Sequence, residues 1–345
     1  MESKEAKELV VRAGRDLVDS GLIARTWGNV SCRIDEERFA ITPSGRDYLT
    51  LTGNDIVEVK IKDLSYEGDI KPSSEKGIHA EVYHRLPHIN FVIHTHQENA
   101  SAISASELKK IPLSECNFKY SKSLFSDEIL CAQYGLPGTK TLRKNVVAAL
   151  EHSKSNAVIL KNHGALCYGK DYESTMQIAN ELESISGNFI EKNGYHLTFS
   201  EKKDASQNIT RLKDFEQAVL AERGGNVILN TDPEILSYIS LSKPLLPYLD
   251  DFAQIVGLKA EAVEDREKSI LKALRHSSAV LIKDLGALCW GKDEGDALAV
   301  NMILKKNCKA YFAASLFNDP QPINKFECAL MRFIYLKKYS RLSEK

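Results

Sequence analysis

Apolar residues recur at helical spacing from the start of the chain. Leu9, Val10, Ala13, Leu17 and Val18 fall on one face, and Gly21 closes the segment. Three short runs follow, NVSCRI, RFAITPSG and DIVEVKI, separated by turn-forming residues, and they predict strands. SEKGIHAEVYHRL predicts a helix opening after Pro72, with Ser73 or Ser74 as its cap. INFVIHTH predicts the next strand, and another helix begins near Glu98. TKTLRKNVVAALEHS, NAVILKN and DYESTMQIANELESISGNFIEKN continue as helix, strand and long helix. This alternation predicts an α/β domain over residues 1–198. The polar stretch HLTFSEKKDASQN predicts a linker to a second domain over 209–345.

That second part holds a partial repeat of the first. AVILKNHGALCYGKD (157–171) returns as AVLIKDLGALCWGKD (279–293), with 10 of 15 positions identical. A looser match lies upstream, between CAQYGLPGTKTLRKNVVAALEHS and FAQIVGLKAEAVEDREKSILKALRHS. The pattern predicts a duplicated unit of helix, buried strand and glycine turn into another helix. Within it His163 becomes Leu285 and Asn162 becomes Asp284. A histidine needed for packing could be retained in both copies, since both strands need the same core, and its loss from one copy fits a chemical task for His163 in the other.

The bulk composition narrows the functional classes. Hydrophobic residues make up 43% and charged residues 27%, as in a globular protein of more than one domain. Lys+Arg 46 against Asp+Glu 47 gives a net charge of -1, which predicts neither a nucleic-acid-binding surface nor an acidic tail. No apolar run approaches the roughly 18 residues of a membrane span, so no membrane partner is expected. The N-terminal segment lacks the apolar core of a signal peptide. Seven scattered cysteines without a paired spacing predict buried thiols and a cytoplasmic location.

Candidate chemistry centres on FVIHTHQENA (91–100). Side chains two apart on a strand share a face, so Val92, His94 and His96 point one way. A His-x-His pair is a metal-binding arrangement when a third ligand joins it, and His163 at the end of another strand is the candidate. Three imidazoles suit Zn²⁺, and an open coordination position would let it act on a substrate oxygen. The other six histidines (79, 84, 88, 152, 196 and 276) read as helix-surface or core residues. RTWGNVS, ITPSG and KPSSE offer hydroxyls and backbone N–H groups, and Ser73–Ser74 at a helix start would favour an anion. Each is also an ordinary turn sequence. Glu75 reads either as a catalytic carboxylate or as a first-turn glutamate.

TWGNVSCR, ITPSG, KPSSE, VIHTH and NHGALCYG, in this order and spacing, resemble the class II aldolase/adducin family over roughly residues 1–195. Within it the pattern is most similar to the fuculose- and rhamnulose-phosphate aldolases. The resemblance implies a three-layer α/β/α sandwich around a mainly antiparallel sheet, followed here by a smaller degenerate repeat domain. It implies a homo-oligomer, either a tetramer or a dimer of two-domain chains. It also implies Zn²⁺, or another divalent metal, on His94, His96 and His163, with Glu75 as catalytic acid/base. Gly28, Asn29, Ser44, Gly45, Ser73 and Ser74 match the loops that hold the substrate phosphate. The implied reaction is cleavage of a ketose 1-phosphate, a small sugar phosphate, to dihydroxyacetone phosphate and an aldehyde. Related epimerases carry aspartate where this chain has Glu75, which favours a lyase.

The chain departs from the aldolases after the second strand histidine. Where they place a proton-donating tyrosine soon after an Ile-Pro, this chain reads KKIPLSECNFKY, with Cys116 near that position and Tyr120 four residues on. Glu115 ranks first as the replacement acid, since the related methylthioribulose-phosphate dehydratases have a glutamate nearby; a loop-surface glutamate is the other reading. Dehydration, decarboxylation and epimerisation therefore stand as alternative reactions, and a non-enzymatic, adducin-like binding protein as an alternative class.

Overall fold

A computed structural model describes residues 1–23, 27–114, 119–197 and 205–338. The chain forms two compact units, Met1–Asn193 and Gly194–Arg341. In the first, α1 (Ser3–Asp19) precedes β1 (Gly28–Arg33), β2 (Arg38–Ile41), β3 (Val57–Lys60), α2 (Lys76–Arg85), β4 (Phe91–Thr95) and α3 (Glu98–Ser104). Then come β5 (Lys110–Pro112), β6 (Glu128–Ala132), α4 (Lys140–His152), β7 (Ala157–Leu160), β8 (Gly164–Gly169) and α5 (Tyr172–Lys192). The strands make one eight-stranded sheet in the order β3-β2-β1-β4-β8-β7-β6-β5. Only β6 and β7 run parallel; every other neighbouring pair is antiparallel.

Helices cover both faces of this sheet, giving the α/β/α sandwich. Ile78, Val82 and Tyr83 of α2 and Leu142, Val146 and Leu150 of α4 pack on Phe39, Val59, Val92, Val158 and Leu166. Arg143 of α4 also donates through Nε to Glu81 of α2 at 2.5 Å. α1, α3 and α5 cover the opposite face, with α1 against β1, α5 against β4 and β8, and α3 against α5. Asp171 starts α5 by accepting the Ser174 N–H at 2.8 Å, as an N-cap carboxylate does for the unpaired N–H groups of a first turn. One expectation changes. α2 begins at Lys76 with Glu75, not a serine, in the cap position. The short strands β5 and β6 carry no alternation that would mark them in the sequence.

The second unit contains α6 (Ala205–Arg223), β9 (Asn226–Asn230), α7 (Pro233–Ile239), α8 (Asp250–Ile255), β10 (Glu261–Val263) and α9 (Glu267–Leu274). It ends with β11 (Ala279–Ile282), β12 (Gly286–Gly291), α10 (Glu294–Ser315) and α11 (Lys325–Lys338). α6 thus starts inside the stretch whose polarity alone suggests a linker. The sheet order β10-β11-β12-β9 has the connectivity of β6-β7-β8-β4. In both, the first pair is parallel and the next two are antiparallel. Details recur as well: Asn162 and Asp284 both have positive φ, 57° and 62°, and Asp293 caps α10 through Asp296 N–H at 2.7 Å.

Because both caps serve long helices that close their sheets, Asp171→Ala and Asp293→Ala should each lower unfolding free energy by ~1 kcal/mol. Urea titration of the two variants checks this, and asparagine at either position should recover most of the loss.

Candidate metal centre and active site

The register of three central strands assembles the site. Asn29 of β1 stands opposite His94 of β4, and His94 stands opposite Leu166 of β8. Val92 lies in the apolar cluster beneath α2, so His94, two residues on, faces α2 as well. His96 follows the last residue of β4, and His163 is the final residue of the β7–β8 turn. That turn needs a left-handed residue, which Asn162 tolerates. Asn162 N–H donates to Ser104 O at 2.9 Å, tying the turn to α3. Gly164 lets it approach β4: a Cβ there would stand 2.1 Å from Thr95 O.

The three imidazoles meet through the same ring atom. His94 Nε2 lies 3.0 Å from His96 Nε2 and 2.9 Å from His163 Nε2. His94 Nδ1 sits 2.9 Å from Ala165 O, an acceptor, so Nδ1 carries the proton and Nε2 presents its lone pair to the centre. Glu75 closes the group, with Oε2 3.2 Å from His94 Nε2 and Oε1 3.3 Å from His163 Nε2. Each of Glu75, His94, His96 and His163 offers a ligand atom within 4.8 Å of the others. A tetrahedral ion with bonds of about 2.0–2.1 Å would set its ligand nitrogens ~3.3 Å apart, close to the spacing seen. The donor set fits a divalent metal. Burial alone would raise the Glu75 carboxyl, but His163 and His94 outweigh it and hold the group well below the usual carboxylate range.

Behind Glu75 lies a chain of buried polar groups. Asn29 Nδ2 donates to Glu75 Oε2 at 3.2 Å, and Asn29 Oδ1 lies 2.5 Å from His79 Nε2. His79 Nδ1 is 2.6 Å from Ser31 Oγ, which is 2.7 Å from Tyr83 Oη. His79 is fully buried; burial, with a smaller push from His94, brings its ring down to about 3, so it is neutral. By sequence alone His79 falls among the surface and core histidines. Its position one helical turn after Glu75 was the available signal.

The two serine-containing loops lie side by side. Ser44 N–H donates to Lys71 O at 2.9 Å, and Ser73 N–H to Thr42 O at 3.1 Å, around a bridge between Pro43 and Pro72. Gly45 has φ of 73°. Thr42 also bonds Val30, bringing this pair of loops to the end of β1 that holds Gly28 and Asn29. Ser73 Oγ accepts the Glu75 N–H at 3.2 Å, and Ser74 lies against Gly138. Glu115 lies outside the described residues.

Among the described residues, the second unit does not repeat this donor set. Since β9 pairs with β12 as β4 pairs with β8, Leu229 stands where His94 does and Thr231 where His96 does. Leu285 replaces His163 and packs with Leu212, Phe215 and Leu229 in an apolar core.

The sequence model of the family described as Class II Aldolase and Adducin N-terminal domain matches residues 8–187. A solved L-fuculose 1-phosphate aldolase is 28% identical, covering 61% of this chain and 96% of its own, with a TM-score of 0.50. L-fuculose-1-phosphate aldolase from Thermus Thermophilus is 25% identical over 55% of this chain and 98% of its own, with a TM-score of 0.46. A putative aldolase/epimerase/decarboxylase from Escherichia coli is 20% identical over 54% of this chain and 88% of its own, with a TM-score of 0.49.

A neutral native His79 makes stability depend on pH. The unfolded ring takes up a proton below its usual value of about 6.5, whereas the folded ring does so only near 3. The unfolded state therefore binds more protons in that window. Stability should be complete above about pH 6.5 and fall below it, by up to ~1.4 kcal/mol per pH unit from this group. Urea midpoints of wild type and His79→Leu between pH 7 and pH 5 check this: the slope should be shallower in the variant, and equal slopes would refute it.

Proposed function

The chain belongs to the class II aldolase and adducin family, and on that premise we propose that it is a metal-dependent lyase acting on a ketose 1-phosphate. The products are dihydroxyacetone phosphate and an aldehyde. The observation that carries this reading is the convergence of His94, His96 and His163 through Nε2 beside the Glu75 carboxylate. Zn²⁺, or another divalent metal, would be held by these histidines and would supply Lewis acidity at the substrate carbonyl.

The protein groups divide the remaining work. When the carbon–carbon bond breaks, its electron pair stays on the carbon next to the carbonyl, and Glu75 delivers the proton that carbon needs. In the synthetic direction Glu75 removes it. Oε2 is engaged by Asn29, whereas Oε1 has no neutral donor beside it among the described residues and faces His163 Nε2 at 3.3 Å, so Oε1 is our candidate for the oxygen that carries the proton. Glu115 is our candidate for the hydroxyl proton at the aldehyde end. The loops at Gly28–Asn29, Ser44–Gly45 and Ser73–Ser74 would receive the phosphate. The Asn29 amide is committed to Glu75 and His79, and its backbone is paired with His94 in the sheet. We read the second unit as a degenerate aldolase-like domain with a structural role in a homo-oligomer, since leucines occupy the positions of His94 and His163.

Metal analysis of the purified protein should find one divalent ion per chain, and His163→Leu, which copies the second unit, should abolish it. A screen of ketose 1-phosphates for dihydroxyacetone phosphate release should yield a substrate. Glu75→Gln should retain the metal and lower its turnover between about 100- and 10,000-fold. Bound metal with no release from any ketose 1-phosphate would overturn the lyase reading and leave the metal site standing.

A further inference from the structure

The buried groups behind Glu75 form one chain whose hydrogen-bond directions are all determined from one end. An ionised carboxylate only accepts, so the Asn29 atom facing Glu75 Oε2 must be its NH2 group, as found. Asn29 Oδ1 is then the atom facing His79, and it too only accepts. His79 Nε2 must therefore carry the proton of the neutral ring. That leaves Nδ1 as an acceptor, so the Ser31 hydroxyl donates to it. The Ser31 oxygen in turn receives the Tyr83 hydroxyl. Tyr83, Ser31, His79 and Asn29 thus each donate one step nearer to Glu75. His79, Ser31 and Tyr83 are fully buried or within 1% of it, and Asn29 is 4% exposed. In such buried surroundings successive hydrogen bonds polarise one another.

We propose that His79, backed by Ser31 and Tyr83, is a positioning residue that holds the Asn29 carboxamide and, through it, the orientation of Glu75. The His79 ring bonds to Ser31 and Asn29, not to the three clustered histidines. Its ring works as a rigid spacer between β1 and α2: one nitrogen is oriented by Ser31, and the other prevents the Asn29 amide from turning over. A flipped amide would set Oδ1 against Oε2 and repel the Glu75 carboxylate. The relay engages Oε2 and leaves Oε1, on the other side of the carboxyl, facing His163 Nε2. The inference rests on the lyase reading only for the task it gives Glu75; the arrangement itself is independent of the reaction.

The test combines a spectroscopic readout with variants. Nitrogen-15 NMR of histidine-labelled protein at pH 7, with His79 assigned by its absence from His79→Gln, should show a neutral ring protonated on Nε2. His79→Leu should keep its zinc stoichiometry and a KM within about twofold of wild type, while kcat falls about 10- to 100-fold. His79→Gln places an amide N–H where Nε2 stands and should recover most of that loss, which a purely structural role would not predict. A proton on Nδ1, a doubly protonated ring, or a His79→Leu variant with wild-type kcat would overturn the proposal. If His79→Leu does not fold, the wild-type spectrum and Ser31→Ala decide the matter, the latter expected to lower kcat in the same sense. If wild type loads zinc but cleaves no ketose 1-phosphate, the lyase reading fails, and the ring's protonation still decides the relay.

Discussion

Three imidazole nitrogens and a carboxylate brought to within 4.8 Å of one another, with all but the half-buried His96 closed off from water, are the constraint on which the first unit depends. Lone pairs gathered this closely repel, and the desolvation of Glu75 is costly. The arrangement is tenable only when positive charge stands among them, as protons on the rings or as a metal ion. The surrounding structure is built to hold that geometry. The Ala165 carbonyl sets the His94 tautomer, the β1–β4 register delivers Asn29 opposite His94, and a glycine without a Cβ lets the His163 turn close on Thr95.

The second unit shows what the same backbone does without that constraint. Its four-stranded sheet repeats the connectivity of β4, β6, β7 and β8, including the left-handed turn residue and the capping aspartate. Where the first unit spends these positions on imidazoles, the second fills them with Leu229 and Leu285 against Leu212 and Phe215 of α6. Burying such side chains stabilises each by about 1.5–3 kcal/mol, a gain the first unit forgoes. The helix that precedes the equivalent strand changes with them: α2 brings Glu75 and His79, whereas α6 brings apolar side chains. The histidines and the residues behind them are thus exchanged together.

Much of this was legible in the chain, for reasons that can be named. His94 and His96 are two apart, and a strand's period of two places them on one face. His163 stood out because the repeat supplied an internal control in Leu285. The ordered motifs pointed to the family and so to an antiparallel sheet, which alternation of helix and strand cannot distinguish from a parallel one. β5 and β6 were not legible, because strands of three and five residues show no period and are stabilised by their neighbours. Nor was the start of α2, because Ser73 does accept a backbone N–H, but from Glu75 outside the helix. Glu75 itself takes the cap position.

The sequence by itself determined most of the elements, the duplicated unit and the three histidines that stand out from the rest, since these follow from local periodicity and from comparison within one chain. Only the tertiary structure decided that Glu75 turns toward the histidines, that the two serine loops are pinned together, and that His79 belongs to the site. Residues 29, 31, 75, 79 and 83 lie on one strand and one helix, and no local rule says which of their side chains will meet. Their hydrogen bonds exist because sheet register and helix packing bring β1 against α2 in a space closed to water, where each buried polar group must find its partner within the protein.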